Sequence, residues 1–64
     1  MRMTDKRLEA KAATLAFRLD RHFKIESIGS GLRSFVDITE GHNTIFTDTP
    51  GRLWEKMDAY VGRW

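Results

Sequence analysis

Sixty-four residues without a cysteine allow one small domain that neither disulfides nor a thiolate metal site can brace. Apolar residues are 41% of the chain, a folded composition, and a net charge of +2 is low for a domain that lives on phosphate contacts alone. No apolar run approaches the roughly 18 residues of a membrane helix, and the opening MRMTDKRLEAK lacks the apolar core of a signal peptide, so a cytoplasmic protein is expected.

The first helix is expected from about Asp5 to Arg21, with Thr4 as its N-cap. Leu8, Ala12, Leu15 and Leu19 recur at spacings of four, three and four, which places them on one core-facing stripe with Ala16 beside it. Arg7, Lys11, Arg18 and Arg21 share another side as a basic stripe. Phe17 points away from the leucines, with Ala10 and Ala13 near it.

Three strands follow, at about 23–28, 33–39 and 44–47. A first turn centred on Ser30 and Gly31 pairs Phe23 with Ile38, Ile25 with Val36, Ser27 with Ser34 and Lys24 with Asp37. A second turn within Glu40-Gly41-His42-Asn43 pairs Ile38 with Ile45 and Asp37 with Phe46. In this register Phe23, Ile25, Val36, Ile38 and Ile45 form the covered face. Phe35 and Phe46 fall on the opposite face, near Ile28 and among Glu26, Asp37 and Asp48.

A second helix is expected over about 50–61, capped by Thr49, opened by Pro50 and stopped at Gly62. Leu53, Met57, Tyr60, Val61 and Trp64 form its apolar face, flanked by Trp54, while Arg52, Lys56 and Arg63 line one side. The fold class is therefore α+β, in the order α-β-β-β-α. The antiparallel meander carries both helices on one face, running parallel to each other.

Candidate chemistry is sparse. Gly29-Ser30-Gly31 begins like a phosphate-binding loop but leads into a strand, which makes it a hairpin turn. His22 and His42 have no further ligands at convergent spacing, and Ser27, Ser30 and Ser34 have no base at a recognisable spacing. Neither a cofactor nor a small-molecule substrate is expected, and the chain does not read as an enzyme.

The element order and length resemble a double-stranded RNA-binding domain, a family in which lysines at the start of the second helix clamp phosphates. Here that start reads Thr49-Pro50-Gly51-Arg52-Leu53-Trp54, with one Arg52 after Asp48, so the likeness is one of topology. The passage Ile45 to Thr49 is also similar to small three-stranded DNA-binding modules of phage integrases.

Two functional expectations result. The first is a non-enzymatic protein-interaction module, of the accessory or inhibitory type carried by phages and mobile elements. It would bind another protein or a second copy through Phe35, Phe46, Ile28, Glu26, Asp37 and Asp48. The second is a nucleic-acid binder using Arg7, Lys11, Arg18, Arg21, Arg52 and Lys56.

Overall fold

A computed structural model describes residues 2–61, excluding the side chain of Val61. The Gly62 stop and the contributions expected of Arg63, Trp64 and the Val61 side chain lie outside the described residues. The order is α1 (Asp5–Leu19), β1 (Phe23–Gly29), β2 (Leu32–Asp37), β3 (Asn43–Asp48) and α2 (Pro50–Val61). The strands form one antiparallel sheet with β2 in the centre.

Helix α1 starts where the Thr4 hydroxyl accepts the Arg7 backbone N–H at 3.2 Å. It stops two residues before its expected end. Asp20 turns left-handed (φ 54°, ψ 46°) and its N–H, like that of Arg21, returns to the Ala16 carbonyl. At α2, the Thr49 carbonyl accepts the Leu53 N–H at 2.8 Å. The Thr49 backbone N–H donates to Asp48 at 2.7 Å, and its hydroxyl lies 3.5 Å from the same carboxylate oxygen.

Leu8, Ala12 and Leu15 of α1 meet Phe35 of β2 and Leu53 and Met57 of α2 in a single core. Both helices therefore lie on the same side of the sheet. Tyr60 closes one end of this core, edge-on to Phe35 (5.6 Å), Phe46 (5.9 Å) and Phe23 (6.2 Å). Arg7 and Lys11 on α1 meet Trp54 and Asp58 on α2, respectively, with both series rising together, so the helices run parallel.

The register departs from the expected one at two places, one in each strand pair. Ser30 and Gly31 do form the two-residue turn, both at positive φ (53° and 75°), and Gly29 pairs with Leu32. Ile28 then has no partner. Beyond this bulge Ser27 pairs with Arg33, Ile25 with Phe35, Lys24 with Val36 and Phe23 with Asp37. A second irregularity in β3 sets Phe46 opposite Phe35 and Thr44 opposite Val36.

The slip reverses the faces of β2. Phe35 lies on the helix side, fully buried, its ring 4.7 Å from that of Phe23 and 6.4 Å from that of Phe46. Val36 points to the other side. Burying the larger ring under both helices is worth more than burying valine there, because the gain grows with apolar area. Ile38, expected on the covered face, leaves the sheet after Asp37 and is 41% exposed.

Candidate interaction surface

The surface expected to work through Phe35 and Phe46 does not exist as drawn. Phe35 is buried and Phe46 is half-buried, packed against the core. The open face instead carries Lys24, Glu26, Ser34, Val36, Thr44 and Thr47. Glu26 on β1 reaches His42, just before β3, at 3.0 Å, and Lys24 also at 3.0 Å. A bridge from β1 to His42 must pass over β2, and Val36 beneath it has no solvent exposure. The His42 hydrogen bond, then that of Lys24, holds the Glu26 carboxyl below its ordinary pKa. The Ser34 and Thr47 hydroxyls share a 2.7 Å hydrogen bond on the same face. Ile28 is 52% exposed but sits at the opposite end of the hairpin from Ile38, so the two form no patch.

The other two acids of the expected ring are structural. Asp37 is 5% exposed and fastens the end of α1 to the β2–β3 connection. Its carboxylate accepts Arg21 Nε at 2.5 Å and the Thr39 N–H at 2.9 Å, while the Thr39 hydroxyl accepts the His22 N–H at 2.8 Å. Burial would push the Asp37 carboxyl up, but hydrogen bonds from Thr39 and Arg21 outweigh it and hold the group below its ordinary pKa. A polar cavity of about 220 Å³ opens beside this clamp, lined by Arg21, Asp37, Glu40, Gly41, His42 and Asn43. Asp48 pairs with Lys56 at 2.9 Å, and that contact, then the Thr49 N–H, lowers its pKa.

The basic residues do not form one free stripe. Lys11 pairs with Asp58, Arg21 with Asp37 and Lys56 with Asp48. Among the described residues, Arg18 and Arg52 make no ion pair, and they stand on different helices.

The structure gathers a different set of groups between the helices. A groove of about 380 Å³ is lined by Arg7, Ala10, Lys11 and Thr14 of α1 and by Trp54 of α2. Lys11 Nζ lies 4.0 Å and Arg7 Cζ 5.5 Å from the Trp54 ring centroid, so two cations share one indole. Arg7 Nε is shut off from solvent with no acceptor among the described residues, a cost of about 1–3 kcal/mol that the fold tolerates here. The terminal nitrogens of Arg7 make no hydrogen bond among the described residues.

Next along α1 comes Phe17, 91% exposed, one turn beyond Ala13 and Thr14. With exposed Ala10 and Ala13 it extends the groove into a stripe along the outer side of the helix. Trp54 had read only as a flank of the apolar face of α2. The i, i+4 spacing of Arg7 and Lys11 was visible in the sequence, but the ring they meet depends on how the helices pair. Among the described residues, no three His, Asp or Glu side chains converge on a possible metal position, and no helix is long and apolar enough to cross a membrane.

Comparisons of the chain with protein-family models, with characterised protein sequences and with solved structures give no match.

Proposed function

We propose that this is a small cytoplasmic, non-enzymatic module of accessory or inhibitory type that works by binding another protein through the outer side of α1 and the adjoining groove. The observation that carries the reading is Phe17, 91% exposed on a well-formed helix. One exposed apolar residue is ordinary on any surface. Phe17 differs because it is continuous with Ala10, Ala13 and the Trp54 groove, and contiguous apolar surface rimmed by charge is characteristic of partner sites. An aromatic residue on the helix that also holds Arg7 over Trp54 supplies the residue types in which interface energy concentrates.

The alternative, nucleic-acid binding, has less behind it. Lys11, Arg21 and Lys56, half of the cations it would use, are already held by carboxylates. Capture from a host lysate, identification of the bound protein and reconstitution with that protein in purified form test the proposal. Phe17→Ser should weaken the reconstituted complex at least about tenfold, a typical loss for a hot-spot aromatic. A complex that Phe17→Ser leaves unchanged, or no complex that survives reconstitution, overturns it.

A further inference from the structure

We infer that the groove between α1 and α2 selects a partner segment carrying a carboxylate, seated on Arg7, next to an apolar side chain laid against Ala10 and the Trp54 indole. The inference rests on the protein-binding proposal and names the chemistry of its partner.

Charge decides the sign of the ligand. Arg7, Lys11 and Arg18 lie along the groove side of α1, and Asp58 is the acid that answers them from α2. Since Asp58 is engaged by Lys11, the positive charge of Arg7 is left without a counter-ion among the described residues. Its guanidinium is already placed over Trp54 and partly desolvated at Nε. Little ordering remains to be done when an acid arrives, and a fork of two terminal N–H groups matches a carboxylate. The rest of the groove is mainly apolar, formed by the indole, the Ala10 methyl, the lysine stem and Thr14, whose hydroxyl donates to the Ala10 carbonyl. The residue carrying the acid therefore needs an apolar neighbour.

The stripe also sets a spacing. Phe17 lies ten positions after Arg7 on one helix, about 15 Å along its axis. An extended partner covers that span in about four or five residues, so a second apolar side chain is expected at that distance from the acid.

Selection of a random peptide library on the intact protein tests this. Enriched peptides should carry Asp or Glu beside a large apolar residue, with a second apolar residue about four or five positions away. Replacing the peptide acid by its amide should weaken binding at least about tenfold to the native chain and hardly at all to Arg7→Gln. Arg7→Lys should fall between, because it keeps the charge and loses the fork. If Arg7→Gln fails to fold, the amide-substituted peptides still decide the matter on the native protein.

Enrichment without an acidic preference, or an acidic preference that Arg7→Gln retains, overturns the inference and leaves the protein-binding proposal standing. No enrichment over an unrelated protein overturns it as well, while the reconstituted Phe17→Ser complex separately decides the broader proposal. Duplex DNA or RNA that binds at low salt and is lost in Arg7→Gln would assign the groove to phosphate. A dimer that Arg7→Gln converts to a monomer would assign it to a second copy. Either result overturns the peptide reading.

Discussion

Lys11 Nζ sits 4.0 Å from the centre of the Trp54 ring while pairing with Asp58 one turn further along α2. One ammonium thus ties two points of the neighbouring helix to α1. The lysine is largely covered and its acid is exposed, so the ion pair is screened on one side and the ring contact is not. Lys11→Met should cost about 1 kcal/mol in urea denaturation, and a double-mutant cycle with Asp58→Ala should assign less than about half of that to the ion pair.

Phe35→Ala should remove about 3–5 kcal/mol, since the ring is fully buried among Phe23, Phe46 and Tyr60. That approaches the whole stability of a domain this small, so the variant should be largely unfolded by circular dichroism at room temperature. Phe17→Ala should change stability by no more than about 0.5 kcal/mol. The two phenylalanines therefore separate folding from binding in one pair of measurements.

Acid should weaken the fold through Asp37, Glu26 and Asp48, all held below their ordinary pKa values. In that pH range the folded chain binds fewer protons than the unfolded one. The stabilisation is therefore complete above the ordinary carboxylate range and declines as pH falls below about 4. Asp37→Asn should cost about 1–3 kcal/mol at neutral pH, because the Arg21 and Thr39 donors lose their charged acceptor, and it should flatten the acid limb of a melting-temperature profile.

Asp20 and Ser30 are the two non-glycine residues with positive φ among those described, at 54° and 53°. Glycine is the favoured residue at the first position and asparagine at the second, where Gly31 follows. Asp20→Gly should raise stability by up to about 1 kcal/mol and Ser30→Asn by about half as much, read as midpoint shifts in thermal melts.

Most of the architecture was legible in local signals. Thr4, the leucine repeat, Ser30-Gly31 and Pro50 mark a cap, a helix face, a turn and a helix start without knowledge of the rest of the chain. Phe23, Ile25 and Ile45 pack against the core as expected. The faces of β2 and the place of Phe46 were not legible, because they depend on the unpaired Ile28 and on the irregularity in β3 rather than on residue type. Both Phe35 and Val36 are apolar, so composition alone does not say which of them goes under the helices. Two bulky residues in succession with a polar neighbour on each side, Ser34-Phe35-Val36-Asp37, suit either register. The groove was hidden for a related reason, since Arg7 and Trp54 are brought together by helix pairing across 47 positions of sequence.

The parallel course of α1 and α2 has an electrical consequence. Each helix start carries about half a positive charge from its unpaired amide groups, and here the two starts lie at the same end of the molecule, beside Arg7 and Trp54. Antiparallel helices would cancel these dipoles, whereas parallel ones add them. The acids nearest the two starts, Asp5 and Asp48, are each tied to a cation, Arg33 and Lys56. The two starts thus add their partial positive charge to that of Arg7 at one end of the fold. An acidic side chain seated on Arg7 would meet these helix ends as well as the guanidinium.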